Sequence, residues 1–137
     1  MGCRYEWADD SHLILNIFIE TPWTWEEYDS VTGEIFAKMK ETGKPCATAV
    51  DVSKMGRMPK GNAIAHLSNM EKMMPDNVFA SAIVGAPYMA TAFMDILMRI
   101  RPRAKRLALF TKTMAEAHQK IQQQYQELYV VAEKKLD

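Results

Sequence analysis

The sequence has few of the residues that form disulfide frameworks or metal sites. Its two cysteines, Cys3 and Cys46, stand far apart in the chain. Its three histidines, His12, His66 and His118, fall on different predicted elements and share no metal-binding spacing. This composition suits a reducing compartment. Because the cysteines and histidines are scattered, we expect neither a metal nor a cofactor.

An excess of one charge and a long apolar run are also missing. Seventeen basic residues balance seventeen acidic ones, so we expect no overall attraction to nucleic acid or to an anionic membrane. No apolar run approaches the length of about 18 residues that a membrane span needs. The opening MGCRYEWADD has acidic residues where a signal peptide has its apolar core. These absences predict a cytoplasmic protein.

The strand patterns are short and separated by helical ones. At 137 residues, we expect one domain spanning residues 1–137. Tyr5 and Trp7 alternate with charged residues, as on an edge strand, and residues 13–19 are almost continuously apolar, as in a central strand. Further strands are predicted at residues 46–52, 78–85 and 106–111.

The first helix has the clearest boundaries. Thr24 is its predicted N-cap, and Glu27 has the spacing of a capping box, in which each side chain accepts from the other residue's amide. Gly43 and Pro45 predict its end. The residues predicted to face the core are Tyr28, Val31, Ile35, Phe36 and Met39.

Trp23 and Trp25 have two interpretations. They could form an aromatic cage around a ligand. Alternatively, Trp23 and Tyr28 have the spacing of a hydrophobic staple, and Trp25 lies in a partly buried first helical turn. The flanking residues match a helix start closely, which favours the second interpretation.

Three more helices complete the pattern. One runs from about Asn62 and stops at Pro75, and another spans residues 87–100. The last begins after Thr113, with a second capping box to Glu116, and runs to near residue 136. Predicted core positions on the first and last of them are Ala63, Ile64, Leu67, Met70, Met74, Ala117, Ile121, Tyr125, Leu128 and Ala132. The order ββαβαβαβα predicts an α/β domain in which helices cover a mostly parallel mixed sheet.

This succession resembles the STAS fold, specifically the SpoIIAA-like proteins, which include anti-sigma-factor antagonists. Two segments carry the resemblance besides the element order. AVDVSKM, residues 49–55, stands where the family has its Asp-hydrophobic-Ser loop opening. LALFTKTMAEAHQKI, residues 107–121, resembles the family's last strand and the helix that follows it. The resemblance implies a regulatory domain that binds a protein partner.

The resemblance also implies that the usual phosphorylation site is missing. When Asp51 and Ser53 are set on the family's opening motif without gaps, Lys60 falls at the phosphoacceptor position. Neither Lys60 nor the adjacent Gly61 has a hydroxyl group. Ser53 is the one hydroxyl residue left in the loop, and a capping or turn role suits it better than phosphorylation.

The loop at residues 53–62 is the main candidate site. We expect ligands to bind beyond the carboxyl ends of parallel strands, where helix N-termini present free amides. Its candidate binding residues are Ser53, Lys54, Arg57, Lys60, Gly61 and Asn62. The spacing does not match a P-loop, so no nucleotide class follows. A solvated, flexible connection in which Gly61 or Asn62 caps the next helix is the competing interpretation.

Two further surfaces remain open to interpretation. RIRPRAKR, residues 99–106, carries five cations, which could meet an acidic partner or lipid head groups, or could offset a helix dipole. Met94 and Met98 lie one turn apart, off the core-facing stripe of their helix. They suit an apolar interface, such as a homodimer contact, or a broader core.

Two non-enzymatic functional hypotheses follow, and a third class, a hydrolase or transferase, stays open without support from any residue. No nucleophile, glycine fingerprint or second acid accompanies Asp51, so the sequence shows no catalytic constellation. The first hypothesis is a regulatory or scaffolding domain that binds a protein partner through residues 53–62 and the adjoining helix. The second is a carrier or sensor of a small apolar or lipid-like ligand, because SpoIIAA-like sheets resemble the core of SEC14 lipid-binding domains.

Overall fold

Five strands form one mixed sheet in the computed structural model, which describes residues 2–86 and 108–131. They are β1 (Cys3–Trp7), β2 (Ile14–Glu20), β3 (Cys46–Lys54), β4 (Val78–Val84) and β5 (Ala108–Thr111). Their order in space follows their order in the chain. β1 is antiparallel to β2, and β2 to β5 are parallel to one another. The predicted α/β class and mostly parallel sheet are confirmed.

The described residues form three α-helices. They are α1 (Trp25–Thr42), α2 (Ala63–Met73) and α3 (Met114–Tyr125), and a π-helical segment, Gln126–Val131, continues α3. Within the described part of the chain, no helix is long and apolar enough to cross a membrane. The predicted helix at residues 87–100 lies outside the described residues. The complete ββαβαβαβα order therefore stays a prediction.

The helices cover both faces of the sheet, with α1 and α2 on one face and α3 on the other. Neighbouring strand residues point to opposite faces, so each strand contributes side chains to both layers. Leu15 packs with α1 and α2, in a buried cluster that includes Met39 and Met74. Ile14 packs with α3, in a cluster that includes Ala117 and Ile121. Burying one aliphatic side chain of this size contributes about 1.5–3 kcal/mol, so the two clusters provide much of the driving force for folding.

Small side chains let α3 lie close to the sheet. Four alanines at the centre of β3 and β4 are fully buried in the α3 cluster: Ala47, Ala49, Ala80 and Ala82. The alanine pattern of residues 78–85 predicts such a close-lying helix, and the structure identifies it as α3.

The cap residues of α1 act as the sequence predicts, except for one carboxylate. The Thr24 hydroxyl oxygen accepts a hydrogen bond from the Glu27 amide at 3.1 Å, and Gly43 ends the helix with φ of 64°. The Glu27 carboxylate, however, accepts from the Cys3 amide at 2.6 Å. The reciprocal half of the predicted capping box is therefore wrong. Glu27 instead binds a backbone amide of the edge strand β1, which would otherwise need another acceptor.

The cap of α3 departs from prediction in the same way. Thr113 accepts from the Glu116 amide at 3.1 Å, as expected. The Glu116 carboxylate accepts from the amide of Lys112, one residue before the predicted partner, at 3.4 Å.

Two predicted core positions are wrong. Ile64 is 40% exposed, because the inward stripe of α2 runs through Ala63, Leu67 and Met70 and leaves Ile64 to one side. Leu128 is 47% exposed. It lies in the π-helical segment, whose wider turn shifts the side-chain register expected for a continuing α-helix.

Candidate functional site

The candidate loop begins in the last two residues of β3 and ends at the N-cap of α2. Ser53 is tied to Asp51, whose Oδ1 accepts from the Ser53 amide at 3.0 Å and from its hydroxyl at 2.6 Å. Asn62 caps α2 by accepting from the Ala65 amide at 3.1 Å. Ser53 lies in β3 with its side chain bound to Asp51, and of the two residues expected to cap α2, Gly61 or Asn62, it is Asn62 that does so. Both ends of the loop are therefore fixed.

Two tryptophans of the α1 entry hold the middle of the loop. The Trp23 indole N–H donates to the carbonyl oxygen of Met55 at 2.8 Å, and the Trp25 indole N–H donates to that of Pro59 at 3.1 Å. Both rings are buried. Each such hydrogen bond contributes about 1 kcal/mol net, and a buried indole N–H without an acceptor would cost more. The loop is therefore anchored at two points four residues apart.

Their burial decides between the two interpretations of the tryptophans. Trp23 and Tyr28 have ring centroids 6.1 Å apart, which agrees with a hydrophobic staple. Trp25 packs edge-on against both rings, at 5.0 Å from Trp23 and 5.4 Å from Tyr28. An aromatic cage would need open ring faces, so the cage hypothesis is wrong for this pair.

Two glycines let the loop backbone lie against the α1 entry. Gly56 and Gly61 have φ of 66° and 134°, in the region that favours glycine. A Cβ atom at Gly61 would come within 3.2 Å of the Trp25 ring, and one at Gly56 within 3.0 Å of the Thr21 side chain. The segment before α1 also contacts the start of the loop, because the Thr21 amide donates to the Lys54 carbonyl at 3.0 Å.

The cations of the loop are exposed and unpaired. Lys54, Arg57 and Lys60 form no ion pair with any residue that the structure describes. Residues 52–70 contain no aspartate or glutamate. The carboxylates that flank the loop on neighbouring elements bind other groups, namely Glu20 with Arg4, Glu27 with Cys3, Asp29 with His66 and Asp51 with Ser53. Among the described residues, no carboxylate forms an ion pair with these three cations.

A histidine–aspartate pair that the sequence does not reveal lies beside the loop. His66 Nδ1 is 2.8 Å from Asp29 Oδ2, which joins α2 to α1. The His66 ring stacks on Trp25 with centroids 4.8 Å apart and planes at 1°. The two residues are 37 positions apart, so neither spacing nor periodicity brings them together.

This pair has the composition of an acid–base dyad, but the described residues do not supply it with the other parts of a catalytic site. No hydroxyl or thiol of the described residues hydrogen-bonds to His66. The thiols are buried elsewhere, and burial raises the pKa of Cys3 to about 12 and that of Cys46 to about 11. The buried carboxylate of Glu71 lines neither of the cavities described below. A structural role as a helix–helix contact accounts for every described interaction of the pair.

The described cavities differ in size and position. One of about 60 Å³ lies between α1 and the sheet and has Tyr28, Thr48 and Ser81 in its wall. It can hold a few water molecules, since one water occupies about 30 Å³ in the liquid. An open groove of about 600 Å³ lies at the opposite end of the sheet from the loop, beside Phe36 and Met73. Within the described part of the chain, no three metal-ligating side chains form a cluster.

The other predicted surfaces are outside the described residues. This applies to Met94 and Met98 and to the cationic segment 99–106. Comparison of the chain with protein-family models, with curated proteins and with solved structures finds no match.

Proposed function

We propose that the chain is a non-enzymatic regulatory or scaffolding domain that binds a protein partner through residues 53–62 and the adjoining face of α2. The observation that carries the proposal is a cationic loop held by two buried indole hydrogen bonds, while its cations form no ion pair with a described residue.

Anchoring favours binding because a loop that is already ordered loses little conformational entropy when a partner docks. Immobilising a flexible side chain at an interface costs about 0.5–1.5 kcal/mol, and ordering a loop adds to this. The two indole hydrogen bonds fix the loop backbone when the domain folds, so the backbone part of the cost is not met at docking. Exposed cations on such a surface also steer an oppositely charged partner and raise its association rate.

Within this proposal the domain resembles the SpoIIAA-like group without its phosphorylation switch. When the chain is aligned with the family without gaps, Lys60 falls at the phosphorylated position and Gly61 lies beside it. The hydroxyl of Ser53 donates to Asp51 and supports the turn, which argues against its use as a substitute. Binding would then depend on the presence of the partner and on ionic strength, and phosphorylation of this loop would not regulate it.

The alternative is a carrier or sensor of a small apolar or lipid-like ligand. Its support is the groove of about 600 Å³ beside Phe36, Met73 and Met74, whose volume falls in the usual range of about 300–1,000 Å³ for ligand pockets. Native mass spectrometry of freshly purified protein distinguishes the alternatives. A retained adduct of lipid size supports the carrier, and a clean apo mass counts against it.

The protein-binding proposal is tested by affinity capture from native lysate, using wild type and the double variant Arg57→Glu/Lys60→Glu. Lys40→Glu is the control for charge reversal away from the loop, since Lys40 is also an exposed lysine but lies in the last turn of α1, in the wall of the groove at the far end of the sheet. We expect wild type and the control to capture the same partner and the double variant to lose it. Identical partner sets for all three proteins would remove the loop from consideration.

A further inference from the structure

Exposed apolar side chains accompany the cations of the loop. Met58, in the loop, is 37% exposed, and Ile64, in the first turn of α2, is 40% exposed. They stand six positions apart, with Lys60 between them in the chain. Single exposed apolar residues are common and need no explanation. These two, however, lie in a short segment whose large aromatic neighbours are buried, and they alternate with its cations: Met58 stands between Arg57 and Lys60, and Ile64 follows Lys60.

The combination restricts what can bind. An anion alone would satisfy Lys54, Arg57 and Lys60 but leave Met58 and Ile64 in water. An apolar ligand alone would bury the two apolar residues but remove water from cations that have no partner, which is costly. A partner that carries carboxylates on both sides of one or two apolar side chains satisfies both sets.

We infer that the partner presents an acidic segment with one or two apolar anchors, and that this segment docks across residues 54–64. The inference rests on the proposed function and specifies the chemistry of the partner. The carboxylates of the segment pair with Lys54, Arg57 and Lys60, and its apolar side chains cover Met58 and Ile64. Contacts of both kinds, apolar and charged, are usual in specific protein interfaces.

The same observations disfavour an anionic membrane as the occupant. Peripheral membrane segments commonly insert exposed tryptophan, phenylalanine or leucine at the interface. Here Trp23 and Trp25 are buried, and their N–H groups are bound to the loop backbone, so neither can insert without releasing the loop. Met58 and Ile64 offer a small apolar area, which suits a shallow contact with a peptide side chain.

The inference is tested by selecting short random peptides displayed on phage against the immobilised full chain. Wild type, Arg57→Glu/Lys60→Glu and Lys40→Glu are used in parallel. We expect peptides selected on wild type and on Lys40→Glu to be enriched in aspartate and glutamate around a leucine, methionine or phenylalanine. We expect the double variant to retain none of them. Neutral or basic peptides, or no enrichment on wild type, would overturn the inference.

Affinity measurements then separate the two components of the surface. The best peptide is synthesised and its binding is followed by fluorescence anisotropy. Charge reversal at Arg57 and Lys60 should weaken binding at least about tenfold, because it places like charges in contact. The apolar component is tested by Met58→Ser/Ile64→Ser, which should weaken binding at every salt concentration. The ionic component is tested by raising the salt concentration, which should weaken the binding of wild type. Equal affinity for wild type and both variants would refute the assignment.

Vesicles of phosphatidylcholine and phosphatidylserine provide the membrane arm of the test. We expect the full chain to stay in the supernatant when the vesicles are sedimented. Sedimentation that the Arg57→Glu/Lys60→Glu variant abolishes would overturn the inference in favour of a lipid surface. If the lysate experiment finds a loop-dependent partner while the selected peptides are not acidic, the inference fails and the proposed function stands.

Discussion

At the residue scale, Trp25 connects the core of the domain to the candidate site. Its ring is buried against Trp23 and Tyr28, its N–H is bound to the Pro59 carbonyl, and His66 stacks on its face. Packing and loop position therefore depend on one side chain. This dependence can be tested with phenylalanine, which keeps an aromatic ring in place and removes the hydrogen-bond donor together with part of the indole.

Trp25→Phe is expected to release the loop while leaving the fold intact. Loss of the indole hydrogen bond should lower the free energy of unfolding by about 1 kcal/mol, measured by denaturant titration. Trypsin, which cleaves after lysine and arginine, should then cut faster after Arg57 and Lys60 than it does in wild type. Trp7→Phe is the control, because Trp7 stacks on His12 and does not bind the loop. Equal cleavage rates in both variants would contradict the anchoring role.

The two cysteines should be unreactive in the folded protein. Burial raises their pKa from the ordinary value of 9.0 to about 12 for Cys3 and about 11 for Cys46, so the reactive thiolate is scarce near neutral pH. We expect Ellman's reagent to label neither thiol at about pH 8, and both once the chain is unfolded in guanidinium chloride. Rapid labelling of the folded protein would show that the thiols are accessible.

The same shifts determine the sign of the pH dependence. The unfolded chain releases the thiol protons as pH rises through about 9, while the folded protein still holds them. Ionisation therefore favours the unfolded state. The contribution of these thiols to stability should be complete below about pH 9 and should fall as pH rises toward the folded values. Denaturant titrations of wild type and Cys46→Ala at neutral and alkaline pH would show a steeper fall for wild type.

Single residues can be assigned from the sequence where their partners are local. Thr24, Asn62 and Thr113 act on amides three residues away, so local spacing is enough to predict their caps. The acceptor of each indole N–H lies more than thirty residues along the chain, at 32 positions for Trp23 and 34 for Trp25. Sequence spacing carries no information about such pairs. The available signal is that a buried tryptophan N–H needs an acceptor somewhere.

At the scale of elements, glycine has opposite roles in the loop and in α1. Gly61 has φ of 134° and packs against Trp25. Gly33 lies on the exposed side of α1, where an added Cβ atom would meet nothing within 4 Å. The strain of a side chain at positive φ and the energy gained by replacing a helical glycine can therefore be compared within one protein.

Gly61→Ala should destabilise the domain by about 1–2 kcal/mol, because it combines backbone strain with a close contact to Trp25. Gly33→Ala should stabilise it by about 0.5–1 kcal/mol, because alanine favours the helix and meets open space. Thermal and denaturant unfolding measure both. A neutral Gly61→Ala variant would indicate that the loop adopts its conformation without constraint.

Element boundaries are predictable where hydrophobic periodicity is regular, and α1 is the best example. α3 shows where periodicity fails. The sequence predicts that it continues as an α-helix, but Gln126–Val131 is π-helical, and Tyr125 and Tyr129 pack on Phe79 with centroids 5.9 and 5.6 Å away. The aromatic contact with β4 accompanies the altered turn. This is a tertiary effect, which the local pattern does not encode.

At the scale of the whole molecule, the sheet gives the loop its position. Strands alternating with helices predict parallel pairing, and parallel pairing places the loop after β3 at the carboxyl end of the sheet. That much can be predicted from the sequence. Whether the loop is a flexible connection or a fixed surface cannot be predicted from the sequence. It depends on the hydrogen bonds that Trp23 and Trp25, at the entry to α1, donate to the loop backbone. The Asp29–His66 pair escapes prediction for the same reason.

Backbone order parameters of residues 55–61, measured by NMR relaxation, test the central claim most directly. If the two indoles hold the loop in one conformation, its amides should have order parameters of about 0.85, equal to those of β3, and lower values in Trp25→Phe. Values below about 0.6 in the wild type would identify a flexible connection and would contradict a preformed binding surface.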